Sequence, residues 1–409
     1  MSLSNQEIIS LGREYLFNNV NRLPLALVKG QGLKVWDADG RQYLDFVAGI
    51  ATCAFGHCPD LAIEALNKQA HELWHVSNLY WNEPMVKLAK FLVQASGLDK
   101  AFFCNSGAEA NEAAIKMARK HGLDNFGPER YIIVCALNSF HGRTMGAITA
   151  TGQLKLQQGF GPMVPGFRHV PFGNIKAIDE EVNKSVCAVL LEPVQGEGGV
   201  VNPPDGYLKQ VEEICHARGA LLILDEIQTG LGRTGRDFAF KHFGLNPDAI
   251  TIGKALGSGY PIGALLAAKG PAAALSPGTH STTVGGAPLA MALSLALTQK
   301  ILEPSFLARV EKVGQYFVNE LNLLKTKRPD QIEQIRGLGL MLGLSLSQNS
   351  APVAENLLNK GFLVNATAGT VLRFVPPLTV TEADIDSLIK AIDQALGELH
   401  PSAVSDAKP

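Results

Sequence analysis

The sequence contains no long apolar run: nothing in it approaches the ~18–20 consecutive apolar residues that cross a bilayer, so no membrane-spanning helix is expected. It also lacks an excess of charge of either sign. Its 36 Lys and Arg offset 38 Asp and Glu to a net charge of −2. Without a basic cluster, neither nucleic acid nor an anionic membrane is an expected partner. Cysteine is sparse, and none of Cys53, Cys58, Cys104, Cys135, Cys187 and Cys215 forms a Cys-x-x-Cys pair. Cys104 and Cys187 lie in apolar runs and read as small core residues. Cys53 and Cys58 flank His57 in ATCAFGHCPD, but two sulfurs five apart with one imidazole make a poor zinc pattern. No metal is expected. The first residues, MSLSNQEIISLGREYLFNN, have neither the basic n-region nor the apolar h-region of a secretory signal. A cytoplasmic protein is expected.

What is present is ordinary globular composition: 46% hydrophobic and 18% charged residues over 409 positions, which excludes a disordered chain. That length suits two or three domains and a core large enough to fold without staples. After an N-terminal helical segment, KGQGLKVWDADGRQYLDF has two short alternating runs around Asp-Gly and reads as a β-hairpin. From about residue 60, compact apolar strands alternate with helical stretches: AFFCNS, YIIVCALNS, CAVLLEPV, ALLILDEI, AITIG and GALLAAK. Such continuous Val, Ile and Leu runs suit strands buried on both faces, hence a mainly parallel α/β sheet flanked by helices. Beyond about residue 300, IRGLGLMLGLSL, FLVNAT and VLRFVPPLTV with a last helix from Thr381 form a smaller α+β unit. The expected organisation is 1–59 as an N-terminal segment packing with the small unit, 60–300 as the large domain, 301–400 as the small domain, and 401–409 as a tail.

Ligands of open α/β sheets bind beyond the carboxyl ends of the strands. The residues found there are Asn105-Ser106-Gly107, Asn138 to Arg143, Glu192 to Glu197, Asp225 to Gln228, and Lys254. A formal G-x-G-x-x-G occurs at Gly230, Gly232 and Gly235, but it does not open an obvious helix. A glycine loop shaping a site is the better reading than a dinucleotide fingerprint. NSGAEANE starts a helix at Ser106, where backbone N–H groups favour a phosphate; a capping serine accounts for the same residues. Asp225 ends an apolar strand, a depth at which a carboxylate needs a cation or several donors. Lys254 follows AITIG among small residues. Taken alone it reads as a snorkelling surface lysine; desolvated, it would be a nucleophile for a carbonyl. Together, a lysine, a carboxylate and a helix N-terminus meet the three needs of pyridoxal phosphate. Phe140, beside His141 and Gly142, offers a face for its ring.

The motifs NSGAEANEAAIKMAR, NSFHGRT, LLEPVQGEGGV, LDEIQTGLGRTG and TIGKALGSGYPIGA, in this order, resemble the class III (ornithine-type) aminotransferases. The resemblance runs from WDADGRQYLDFVAGI to LRFVPPLT, nearly the whole chain. It implies the fold-type I architecture of pyridoxal 5'-phosphate enzymes, with a seven-stranded sheet. It further implies that Lys254 carries the cofactor and that Asp225 partners the pyridine nitrogen. Phe140 would lie on the ring face, Gln228 near the ring hydroxyl, and Ser106, Gly107 and Ala108 around the phosphate. Thr283 would reach the phosphate of a neighbouring subunit, with Thr282 next to the substrate, implying a homodimer with shared sites. The substrates implied are acetylornithine and 2-oxoglutarate. Arg143 would hold the distal carboxylate, Arg373 the one beside the reacting carbon of the keto acid, and Glu197 would pair with Arg373 when the amino donor is bound. Val284 departs from the aromatic often found there. Val20 falls where ornithine δ-aminotransferases carry a tyrosine, which favours an acylated donor over free ornithine; the alternative is a sister activity on succinylornithine, ornithine, 4-aminobutyrate or succinyl-diaminopimelate.

Overall fold

The structure, a computed structural model, describes residues 3–399; the expected tail at 401–409 lies outside the described residues. A sheet of three antiparallel strands, β1 (Leu27–Gln31), β2 (Lys34–Asp37) and β3 (Gln42–Asp45), opens the fold. Seven strands build the central sheet: β4 (Lys100–Cys104), β5 (Ile132–Ala136), β6 (Phe167–Val170), β7 (Val186–Leu191), β8 (Leu221–Asp225), β9 (Ala249–Ile252) and β10 (Gly263–Ala267). Their order is β4-β10-β9-β8-β7-β5-β6. Only β10 runs against its neighbours. Every residue of β5, β7, β8 and β9 is buried, because helices cover both faces. That double burial is what the unbroken apolar runs encode.

The strand missing from the apolar pattern is β6. FRHV sits at the sheet edge, only Val170 of it is buried, and Arg168 and His169 break the run. One face is covered by the helix Gly107–Phe126, half of whose buried residues are alanine: Ala110, Ala113, Ala114 and Ala118. Small side chains let the helix axis approach the sheet closely. At Gly122 a Cβ would stand 2.2 Å from the Arg130 carbonyl oxygen.

Five more strands follow: β11 (Ile332–Leu338), β12 (Met341–Leu346), β13 (Phe362–Leu363), β14 (Asn365–Thr367) and β15 (Val371–Phe374). β13 pairs in parallel with β3, joining the N-terminal sheet; the other four form an antiparallel sheet in the order β11-β12-β15-β14. The long helix Pro304–Lys327 supplies the common core. Its Phe317 is fully buried, with ring centroids 6.4 Å from Phe46 and 5.3 Å from Phe374. One side chain therefore ties the segment after β3 to β15, the strand that carries Arg373.

Phe317→Ala removes that contact from both sides. Urea unfolding is expected to show a loss of about 3–5 kcal/mol, the usual cost of truncating a buried aromatic, and Phe317→Leu should restore most of it. A loss under about 1 kcal/mol, within reach of an ordinary surface substitution, would mean the two sheets do not share this core.

Candidate active site

Asp225 is 4% exposed at the carboxyl end of β8. Three donors from three elements meet it. Asn111 Nδ2, from the helix Gly107–Phe126, and His141 Nδ1, from the turn after β5, each lie 2.8 Å from Oδ2. The Ile227 N–H donates to Oδ1 at 3.1 Å. The chain of contacts continues: Asn111 Nδ2 also donates to the His141 carbonyl at 2.7 Å, and Thr251 Oγ1, on β9, donates to Asn111 Oδ1 at 2.8 Å. A buried carboxylate held this way is fixed in orientation, with its oxygens satisfied by donors.

Lys254 begins the turn after β9 with φ of 42°, a left-handed conformation that a lysine adopts at a cost. Burial lowers its ammonium to about 8, against the opposing pull of the Glu197 carboxylate. Beside it the helix at Gly107 begins. Ser106 Oγ accepts the Glu109 N–H at 3.2 Å, so the capping reading of Ser106 holds. The Gly107 and Ala108 N–H groups nonetheless have no acceptor among the described residues, leaving an anion cradle at the same place. The turn carrying Phe140 lies directly on it: a Cβ at Gly142, where φ is 134°, would stand 2.7 Å from the Ala108 Cβ. Buried His141 Nε2 and Gln228 Oε1 also lack partners among the described residues. A lysine with a lowered pKa, an anchored carboxylate, free helix-start N–H groups and orphaned polar atoms on one cleft fit pyridoxal 5'-phosphate. Lys254, Asp225, Ser106, Gly107, Ala108, Phe140 and Gln228 are brought together.

Across the cleft, Arg373 on β15 is 1% exposed. Its NH1 donates to Glu197 Oε1 at 2.5 Å and its NH2 to Asn365 Oδ1 at 2.8 Å. Burial works to raise the Glu197 carboxyl, but the Arg373 charge and hydrogen bond outweigh it and hold the acid below its ordinary value. Gln228 Nε2 reaches the same Glu197 oxygen at 3.5 Å. Arg143 is exposed, its Cζ 5.6 Å from the Phe140 ring centroid. Phe140, Arg143, Glu197 and Thr367 line a cavity of about 280 Å³. Thr282 Oγ1 accepts Asn105 Nδ2 at 3.1 Å, and Asn78 Nδ2 donates to the Thr282 carbonyl at 2.9 Å. Thr283 and Val284 are exposed.

Several residues were not singled out by sequence. Asn111 is fully buried in a run of alanines, the one signal that could have marked it. Thr251 and Asn365 carry none. Glu192 was noted only as the start of a segment; its carboxylate accepts the Phe140 and Gly196 N–H groups, and burial raises it to about 7. The 230–235 glycines lead to a 3-10 turn at Ala239–Phe243, without the strand–turn–helix context of a dinucleotide site. Arg233 there donates to the carbonyls of Leu340 at 3.0 Å and Pro376 at 2.6 Å, so the loop clasps the small sheet. His57 Nε2 lies 2.8 Å from Asp45 Oδ2, and no cluster of three or more metal-ligating side chains occurs among the described residues.

The family described as aminotransferase class-III matches residues 15–396. The chain is 47% identical over 394 residues to an acetylornithine aminotransferase of Caldanaerobacter subterraneus subsp. tengcongensis, covering 96% of this chain and 100% of that protein. It is 48% identical over 397 residues to one from Methanocaldococcus jannaschii, covering 97% and 100%. Among solved structures, an ornithine aminotransferase from Toxoplasma gondii superposes with a TM-score of 0.93 at 33% identity, over 97% of this chain and 96% of that one. An acetylornithine aminotransferase from Elizabethkingia anophelis gives 0.86 at 32% identity, over 97% and 100%.

The lowered pKa of Lys254 has a measurable consequence. An amine is protonated below its pKa, so at pH 7 a value of about 8 leaves roughly a tenth of Lys254 neutral. An ordinary lysine at 10.5 leaves roughly one in three thousand. With cofactor-free protein and an amine-selective reagent, peptide mapping should find Lys254 labelled first at pH 7, its rate levelling off by about pH 9, one unit above that pKa. Labelling that keeps rising past pH 10 alongside the exposed lysines would contradict the lowered value.

Proposed function

We propose, for a chain that belongs to the class-III aminotransferases and is a pyridoxal-phosphate-dependent aminotransferase, that its donor is N2-acetyl-L-ornithine and its acceptor 2-oxoglutarate. The δ-amino group passes to the keto acid, giving N-acetyl-L-glutamate 5-semialdehyde and L-glutamate, a step of arginine biosynthesis. The observation that carries this reading is the Arg373–Glu197 pair: a fully buried guanidinium matched to a carboxylate that can release it. Names of relatives at 47% and 48% identity support the acetylated donor.

Pyridoxal 5'-phosphate, when bound, supplies an electron-withdrawing ring that takes up the electron pair left when a carbon–hydrogen bond beside the substrate nitrogen breaks. The rest falls to the chain. Lys254 Nζ would hold the cofactor and, once freed by the substrate amine, would take the proton from the carbon bearing nitrogen and deliver it to the cofactor's C4′ carbon. Its lowered pKa keeps a usable fraction neutral for that work. Asp225 would hold a proton on the ring nitrogen, its carboxylate fixed in angle by His141 and Asn111. Ser106, Gly107 and Ala108 would take the phosphate, Phe140 would cover a ring face, and Gln228 would serve the ring hydroxyl.

Arg143 takes the distal carboxylate of either substrate, since a guanidinium binds carboxylates by a bidentate fork. When 2-oxoglutarate enters, its carboxylate beside the keto carbon replaces Glu197 on Arg373. When the amine end of the donor enters, it has no such carboxylate, and Glu197 returns to neutralise the arginine. Thr282 borders this space.

A homodimer completes the reading. Thr283 is exposed on the protomer, and Phe17 at 91% and Trp81 at 89% exposure are apolar groups that need cover. Thr283 would then reach the neighbouring subunit's phosphate. A cytoplasmic location fits small charged metabolites as substrates. No described helix is long and apolar enough to cross a membrane, and neither a membrane nor nucleic acid is a proposed partner.

The test is a single-turnover panel on cofactor-loaded protein, following the cofactor absorbance with acetylornithine, succinylornithine, ornithine and 4-aminobutyrate. Acetylornithine should convert fastest and ornithine slowly or not at all, with Lys254→Ala inert to every donor. A faster rival donor would replace the substrate while leaving the residue roles intact. Normal turnover by Lys254→Ala would overturn the mechanism.

A further inference from the structure

Glu192 lies just beyond β7, is 6% exposed, and belongs to neither the cofactor set nor the substrate set. Its two oxygens are used separately. Oε1 accepts the N–H of Phe140, in the loop after β5, at 2.9 Å. Oε2 accepts the N–H of Gly196, in the loop after β7, also at 2.9 Å. One carboxylate thus spans two loops that leave different strands. Each loop delivers a group to the cleft. Phe140 lies under the Arg143 guanidinium, 5.6 Å from its Cζ. Gly196 precedes Glu197 and packs so tightly on Gln228 that a Cβ there would stand 2.6 Å from Gln228 Oε1. Glu197 in turn holds Arg373.

We propose that Glu192 is a positioning residue: its carboxylate sets the spacing between Phe140 and the Gly196–Glu197 turn, and through them the alignment of the ring face with the Arg373–Glu197 pair. The inference rests on the roles proposed above for Phe140 and Glu197. Two converging N–H donors require two acceptor oxygens, which a carboxylate has and an amide does not. A glutamine of the same size keeps one loop and turns an NH2 group toward the other N–H. The bases of the loops are joined independently by Gln195 Nε2 donating to the Leu137 carbonyl at 2.9 Å, and the 195–201 turn is closed by its own paired backbone bonds. Loss of one Glu192 contact therefore shifts the loops without releasing them.

The experiment uses the cofactor-loaded enzyme and its glutamate half-reaction, which does not depend on the acyl group of the donor. Glu192→Gln should load cofactor fully but react with L-glutamate about tenfold more slowly, the effect of one lost hydrogen bond to a charged group. The visible circular dichroism of the bound cofactor should change, because the Phe140 ring moves against it. Glu192→Asp retains two acceptor oxygens and should be slowed less. A merely structural role would lower the unfolding midpoint while leaving rate and dichroism at wild-type values; that result in a folded Glu192→Gln protein overturns the proposal. Should the glutamine variant not fold, the aspartate variant carries the test, and wild-type rate and dichroism in it are the overturning result. A wild-type protein inert to glutamate would instead strike the proposed function, so the two failures are separable.

Discussion

A carboxylate buried at the end of an apolar strand has to be surrounded by donors, and much of this molecule's arrangement answers that requirement at Asp225. β8 contributes no polar side chain until its last residue. The donors arrive from a helix, from the turn after β5 and from the backbone just beyond β8. Satisfying one buried charge therefore brings the start of the helix Gly107–Phe126 beside the Phe140–His141–Gly142 turn. Thr251 extends the same network to β9, whose next turn carries Lys254. The free N–H groups at the helix start, the Phe140 turn and the lysine converge because each belongs to an element fastened directly or indirectly to Asp225.

A second charge problem lies on the opposite wall. Arg373 is almost wholly buried and has Glu197 as its only ion-pair partner among the described residues. Such a pair is weak evidence for stability, since desolvation offsets much of its attraction. It is better suited to exchange, because an incoming carboxylate can substitute for Glu197 with little change in net charge. Glu197 also opposes the desolvation of Lys254, so its movement and the state of the lysine are coupled.

The large sheet was legible because strands covered on both faces must be apolar throughout, and Lys254 and Asp225 because chemistry collects where such strands end. β6 was invisible for the opposite reason: an edge strand half open to solvent keeps Arg168 and His169. Ser106 had two readings in sequence, cap or phosphate turn, and the fold allows both at once because capping Glu109 leaves the N–H groups of Gly107 and Ala108 free. The motif resemblance supplied residues that no local pattern could, such as Gln228 and Arg373. What escaped was the supporting layer. Asn111 meets Asp225 across 114 positions of sequence, and Glu192 meets Phe140 across 52. Their value comes from contacts that exist only after the strands are ordered, and beyond the alanines around Asn111 their own neighbourhoods do not announce it.

Whether Asp225 holds a proton on the cofactor's ring nitrogen is tested most directly by nitrogen-15 NMR of enzyme loaded with ring-labelled pyridoxal 5'-phosphate. The account predicts a protonated ring nitrogen in the wild-type protein through pH 8 and its deprotonation in Asp225→Asn. A ring nitrogen that is already deprotonated in the wild-type protein at pH 7 would contradict it.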